Sequence, residues 1–344
     1  MHTYETAGGT VTIGPFEEKD VESCLDLFRV VFDREKGLEF FRWQLLDNPV
    51  GVHFEVGRDE SGRVVSQFSS IPARFKIRGE DFIFGQIIDT IVHPDHRGGL
   101  KRKGLYAATV ESYVERWGHR DREIIMMGMP NPQHFRIGRR MAGYVPMGRM
   151  YFHTKAITPN PGVPEPVTRL RMKGGEFEIR IVERYDADVD ALWERIGPRY
   201  EIIGVRDATH LNWRYADCPI EGRYQMLEVR DAASGELHGI AVGHLGYLGA
   251  PDGIIVDWLV DREVPGAREA LLLTIEEMMA KVSMHRVQVL FNQADDESRF
   301  MEDMNYELAP SHWRLVSRTY APEIVTPDLL TRHWYYTLGD FDSV

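Results

Sequence analysis

Arg97, Lys101, Arg102 and Lys103 stand among Gly98, Gly99 and Gly104 in a 344-residue chain whose formal net charge is −12. Cations spaced by glycines can wrap an anion, because a residue without Cβ lets the backbone approach a ligand closely. Leu105 then opens a helix on which Tyr106, Val110, Tyr113, Val114 and Trp117 recur at helical spacing. The free N–H groups of its first turn favour negative charge by ~0.3–1 kcal/mol. Before the loop, Gln86-Ile87-Ile88-Asp89-Thr90-Ile91-Val92 is β-branched and closed by His93-Pro94-Asp95, the pattern of a buried strand ending at a turn. Strand, basic turn and helix together form a site for a pyrophosphate. On the loop alone, a solvated basic turn explains the residues as well.

The flanks decide between these readings. Glu123-Ile124-Ile125-Met126-Met127-Gly128-Met129 reads as a second strand, followed by Pro130-Asn131-Pro132, a short helix and Gly143-Tyr144. The succession resembles the acyl-CoA-binding core of the GNAT N-acetyltransferase superfamily. The matching residues are His93-Pro94, Arg97-Gly98, Lys103-Gly104-Leu105, Asn131 and Gly143-Tyr144, with Gly99 to Arg102 lengthening the loop beyond the family's usual form.

The resemblance implies an α/β fold with a mixed, twisted sheet flanked by helices, and acetyl-CoA or another acyl-CoA as co-substrate without a metal. It assigns the donor to Arg97, Gly98, Gly99, Lys101, Arg102, Lys103, Gly104 and Leu105, with main-chain contacts at Ile91 and Val92. Asn131 would meet the pantetheine or pyrophosphate region, or alternatively cap a helix. Acyl transfer from a thioester needs a neutral amine, donors to the oxyanion and an acid for the thiolate. Asp89 sits where many relatives carry an acidic residue and is the candidate base, typically worth ~10²–10⁴ in rate; a buried structural role competes. The family's frequent general-acid tyrosine is missing, with Gly138 and Arg139 in that neighbourhood and His134 as the candidate substitute.

The chain also echoes itself. Phe41-Arg42-Trp43-Gln44-Leu45-Leu46-Asp47-Asn48-Pro49 resembles Leu211-Asn212-Trp213-Arg214-Tyr215-Ala216-Asp217-Cys218-Pro219, with Trp, Asp and Pro each displaced by 170 positions. Val11-Thr12-Ile13 and the helix bearing Val21, Cys24, Leu25, Phe28 and Phe32 are echoed by Phe177 to Ile181 and a helix bearing Val189, Leu192 and Trp193. Asp89 finds a counterpart in Asp257 at 168, and Asn131 in Asn292 at 161, so seven residues are missing from the second copy where the phosphate loop belongs. Val260 to Glu269 carries Asp261 and Glu263 there, which would repel a pyrophosphate. Two tandem GNAT-like domains are therefore expected, the second degenerate: residues 1–155 bind the donor, the proline-rich stretch 156–175 is a stiff extended linker, and 176–320 form the second copy. The tail 321–344, with Trp334-Tyr335-Tyr336, is expected to dock. In some tandem relatives, including mycobacterial aminoglycoside-acetylating enzymes, the chain's end enters the active site, a role open to Asp340, Asp342 or the Val344 carboxylate.

Composition removes other classes. Two cysteines, Cys24 and Cys218, fall in different halves, which argues against a disulfide framework or thiolate metal site. His93 and His96 lack further ligands nearby, and no His-Glu-x-x-His, Cys-x-x-Cys or Gly-x-Ser-x-Gly occurs. The negative charge argues against a nucleic-acid partner, and the lack of a spanning apolar run or a leader against a membrane one. The expectation is a soluble cytoplasmic N-acyltransferase acting on a small-molecule or peptide amine. The competing readings are a non-catalytic acyl-CoA-binding or sensing protein and an aminoacyl transferase resembling the peptidoglycan-bridge enzymes.

Overall fold

The elements expected around the basic loop are formed in a computed structural model that describes residues 2–6, 8–98, 104–246 and 250–342. The chain divides into two compact units. The first comprises Met1–Arg74, Asp81–Gly148 and Trp313–Asp328. Its elements are β1 (His2–Thr6), β2 (Gly9–Pro15), α1 (Val21–Phe32), α2 (Leu38–Phe41), β3 (His53–Arg58), β4 (Val64–Ile77), β5 (Glu80–Val92), α3 (Leu105–Trp117), β6 (Glu123–Gly128) and α4 (Pro132–Met141). The strands neighbour one another in sequence order; β6 runs parallel to β5, and Val316–Thr319 closes the series antiparallel to β6. Leu105, Val110 and Tyr113 are buried on one face of α3, as their spacing requires. Phe68, Val110, Tyr113, Met126 and Ala142 form the core between that helix and the sheet.

The second unit comprises Phe75–Glu80, Arg149–His312 and Leu329–Val344. It contains β7 (Val145–Ala156) from Arg149 onward, β8 (Val167–Met172), β9 (Gly175–Val182), α5 (Ala187–Ile196), β10 (Ile202–Gly204), α6 (Ala208–Leu211), β11 (Tyr224–Asp231), β12 (Leu237–His244), β13 (Asp252–Val260), α7 (Ala267–Lys281), β14 (Arg286–Leu290), α8 (Asp296–Asp303), β15 (Glu307–Thr319) up to His312, the end of α9 (Pro327–His333) and β16 (Trp334–Tyr335). Its sheet runs β7-β14-β13-β12-β11-β9-β8, with β13 and β14 parallel. Both units are thus mixed sheets flanked by helices.

The sequence echo has a local structural signature. α2 passes into a π-helical turn, Arg42–Leu46, and α6 into another, Asn212–Ala216. The Asp47 N–H donates to the Arg42 carbonyl at 2.8 Å and the Asp217 N–H to the Asn212 carbonyl at 2.9 Å, while Trp43 and Trp213 are buried. π-Turns are rare, and their recurrence at one sequence offset marks a shared local design.

The linker expected over 156–175 is corrected in two respects. Val167–Met172 is a strand, antiparallel to β9 through a turn at Gly174, whose φ of 119° suits a residue without Cβ. The proline-rich part is packed as well: Asn160 and Gly162 donate their N–H groups to the Ala280 and Lys281 carbonyls at the end of α7. The connector thus shares in capping the end of α7, where the Ser283 N–H also donates to the Ala280 carbonyl at 3.1 Å. In the tail, Trp334, Tyr335, Leu338 and Phe341 are buried.

Candidate functional site

β5 and β6 pair as far as Gln86 and Met127, with a register shift between Ile83 and Phe84. Three residues later Asp89 adopts φ 44°, a left-handed conformation uncommon for a residue with Cβ and typical of a bulge that re-aims a strand. Gln67 and Ser69 on β4 donate to the Asp89 and Ile88 carbonyls at 3.2 and 3.0 Å. Beyond the kink lies a cleft of about 380 Å³. Thr90, Ile91 and Val92 line it from β5, Gly104 to Tyr106 from α3, and Asn131, His134, Ile137 and Met141 from the α4 side. Val31 and Phe32 at the end of α1 complete it.

The rim of this cleft suits an anion. Gly104 is the N-cap of α3 in extended conformation, and among the described residues no side chain caps the helix. Among the described residues nothing lies within 4 Å of a Cβ built at Gly104, and a Cβ at Gly98 would lie 3.9 Å from the Gly104 Cα. Arg97 returns to the strand, its Nε donating to the Val92 carbonyl at 2.9 Å. Ile91 and Val92 are buried along the cleft. Gly99, Lys101, Arg102 and Lys103 lie outside the described residues.

Asp89 is ion-paired with Lys36, and both side chains are nearly buried. The Lys36 ammonium also donates to Gln44 Oε1 at 2.7 Å and lies 5.0 Å from the centroid of the Phe28 ring. Sequence reasoning missed Lys36. Arg206 stands 170 positions later and its Nε donates to Asp257 at 2.8 Å in the same manner, a pairing that the structure and not the sequence displays. His134 and Asn131 share the first turn of α4. Asn131 Oδ1 accepts from the His134 N–H at 2.9 Å, which makes it the helix cap as well as a cleft residue. Desolvation lowers the His134 pKa, which keeps the ring neutral at pH 7.

A second missed residue is Tyr106, which lines the cleft from α3. Its apolar spacing on α3 made it look like core alone.

In the second unit the corresponding groups bond the chain itself. The Asn292 amide donates to the Thr331 and Trp334 carbonyls, both at 3.0 Å. The Tyr335 hydroxyl donates to the carbonyl of Trp258, the residue that follows Asp257 as Thr90 follows Asp89. Arg206 joins Asp257 to Asp340 at 2.7 Å, and Thr337 bridges to Asp257 at 3.1 Å. Asp340 is therefore tied into this buried network. Among the described residues no group of three or more His, Cys, Asp or Glu side chains is gathered as a metal ligand set, and no helix is long and apolar enough to cross a membrane.

Comparison with known proteins agrees with this geometry. Residues 12–138 match the family model of the acetyltransferase (GNAT) domain. No curated protein sequence matches the chain. Among solved structures, a conserved protein of unknown function from Enterococcus faecalis V583, described as a probable N-acyltransferase, superposes with a TM-score of 0.60 at 14% identity, covering 90% of this chain and 72% of its own. The Saccharomyces cerevisiae N-myristoyltransferase with bound myristoyl-CoA gives 0.54 at 15% identity, covering 89% and 77%. A GCN5-related N-acetyltransferase from Anabaena variabilis gives 0.57 at 12% identity, covering 90% and 73%. At these identities the structures speak for the fold, while the family model reaches from β2 into α4 and so spans the cleft. Residues 12–138 carry the match to the GNAT acetyltransferase domain, which supports reading the chain as an acyltransferase.

Proposed function

We propose that the first unit transfers an acetyl group from acetyl-CoA to a primary amine of a small molecule or peptide, and that the second unit is a degenerate copy that binds no donor. The carrying observation is the cleft beyond Asp89, which joins the N-terminus of α3 to an apolar trough in one half of the chain. Its volume lies at the lower end of the range usual for ligand sites, ~300–1,000 Å³. The main-chain groups at Ile91 and Val92 would face the acyl carbonyl, and Asn131 the pantetheine. Arg97, Gly98, Gly104 and Leu105 would hold the phosphates together with Gly99, Lys101, Arg102 and Lys103.

Asp89 serves this reaction as one half of an ion pair. Lys36 holds its carboxylate in place, and an acceptor ammonium arriving nearby would meet a carboxylate already oriented. His134, neutral and at the cleft, is a candidate to take the amine's proton.

The test is release of coenzyme A thiol from acetyl-CoA across a panel of amino sugars, polyamines, amino acid derivatives and peptides. Turnover on at least one amine is expected, with one donor bound per chain by calorimetry. Reversing Lys101, Arg102 and Lys103 to glutamate should weaken acetyl-CoA binding at least tenfold, about 1.4 kcal/mol. A second reading, an acyl-CoA-binding protein without turnover, draws support from the Lys36–Asp89 pair, which ties up the candidate base. Tight donor binding with no thiol release on any amine would establish that reading instead.

A further inference from the structure

The helix that borders the first cleft has a second face, and its charge is unlike that of the rest of the chain. α4 carries Arg136, Arg139 and Arg140 and no carboxylate. From Ile124 to Pro164 the sequence holds no Asp or Glu at all, although the chain has 53 of them and a net charge of −12. All three arginines are exposed. Among the described residues none of them is ion-paired, whereas Arg29 is paired with Asp26 and Arg42 with Glu18. The Arg136 Nε donates to the Pro132 carbonyl at 3.3 Å, and the Arg139 guanidinium lies 5.8 Å from the centroid of the Phe135 ring. Cations in the last turn suit the helix dipole, which accounts for Arg139 and Arg140. It does not account for Arg136, which stands at i−3 and i−4 to them and repels both.

The second unit is an internal control. α8 follows Asn292 there as α4 follows Asn131 in the first unit. It bears Asp296, Glu297, Glu302 and Asp303, with Arg299 as its lone cation. The sign of the helix is reversed between the two copies, and the basic face belongs to the copy with the open cleft.

His134, Ile137 and Met141 line that cleft. At ~3.6 residues per turn, Arg140 stands about a quarter turn from their face and Arg136 further round on the same side. The path from the cleft to these guanidiniums, over a helix of ~10–12 Å diameter, is roughly 10 Å. An amino acid's own carboxylate lies beside its amine and would not bridge it. A peptide extends ~3.3–3.6 Å per residue, so carboxylates about three residues beyond the amine would reach. A long polyanion is disfavoured, because the rest of the chain is acidic and repels whatever runs past α4.

We infer that the outer face of α4 docks the acyl acceptor, and that this acceptor is a peptide with acidic side chains about three residues from its amino-terminal amine. The inference rests on the proposed transferase reading of the cleft. Arg136 and Arg140 pair with those carboxylates while the amine sits in the cleft, and charge-assisted hydrogen bonds of this kind are well suited to arginine. Such rim charges select the partner and speed its encounter, leaving the chemistry to the cleft.

The experiment measures thiol release from acetyl-CoA with three decapeptides, identical except for two Asp, two Asn or two Lys at their third and fourth positions. Wild type should favour the Asp peptide over the Asn peptide roughly tenfold in kcat/KM, chiefly through KM, with the Lys peptide poorest. Salt should erode the preference, since exposed charges are screened. Arg136→Gln/Arg140→Gln should turn over the three peptides within about twofold of one another. Arg136→Glu/Arg140→Glu should favour the Lys peptide, a reversal that misfolding would not produce. Equal turnover of the Asp and Asn peptides by wild type, or a preference that survives in Arg136→Gln/Arg140→Gln, would overturn the inference and leave the transferase standing. So would arginine variants that weaken binding of coenzyme A but not of dephospho-coenzyme A, since the face would then hold the donor's 3′-phosphate. No thiol release by wild type on any amine would overturn the transferase reading and this inference with it.

Discussion

Asn131 and Asn292 follow equivalent strands, yet they face different things. Asn131 borders an open cleft and caps α4, whereas Asn292 donates to two carbonyls of the chain's own tail. Lys36–Asp89 and Arg206–Asp257 repeat the contrast, the first pair joined by Gln44 and the second by Thr337 and Asp340 of the tail. One ion pair at a strand kink thus serves two ends. Beside an open cleft it orients a carboxylate, and in the second unit it anchors the tail. The comparison teaches that the second unit differs from the first by more than its loop. The tail residues Trp334 and Tyr335 stand beside Asn292 and Trp258, whereas Asn131 and Thr90 border a cleft in the first unit.

The sharpest way to break this contrast is Arg206→Met. It leaves Asp257 and Asp340 buried without their cation, and such a loss typically costs ~3–5 kcal/mol. Urea denaturation should show that scale of loss, while Lys36→Met, at a less enclosed pair, should cost less and act mainly on turnover. Equal losses would mean that the two pairs do the same structural job.

Acid separates the units next. His153 in the second unit is fully buried, its Nε2 bonded to Ser298 at 2.8 Å, and desolvation lowers its pKa to about 4. Its folded pKa lies below the unfolded value near 6.5, so the unfolded chain binds the proton first. Stability is therefore full above pH ~6.5 and falls as pH drops toward 4, by up to about 3 kcal/mol from this residue. His210 is depressed to about 4 by the same cause and adds to the trend. Thermal melts from pH 7 to 4 should lose their steepest part in His153→Gln.

Asn292→Ala removes two bonds to the tail and should cost ~1–3 kcal/mol, read as easier proteolysis of the C-terminal segment. Asn131→Ala should cost only about 1 kcal/mol of stability as a lost cap, while weakening acetyl-CoA binding roughly tenfold. If the two variants change stability alike and neither alters donor binding, the assignment of Asn131 to the donor is wrong.

Much of this was legible from residue order. The β-branched run to Val92, the helix opened by Leu105 and the strand from Glu123 follow from apolar periodicity and from Gly and Pro at the junctions, because such patterns act within a few residues. The Trp-x-x-x-Asp-x-Pro echo was legible too, although its π-helical form was not. Lys36 was passed over because nothing local marks a lysine that will be buried on a carboxylate 53 positions away. Tyr106 was passed over because its spacing is that of a core residue.

By itself the sequence determined the class of the chain, the order of its strands and helices, and the half in which glycines and cations gather, since these depend on neighbours along the chain. Tertiary structure alone decided that the tail bonds Asn292 and Trp258, that Asp89 is paired with Lys36, and that a phenol from α3 reaches the first cleft. Those outcomes depend on which side chains meet across long separations, where burial forces each charge and hydroxyl to find a partner.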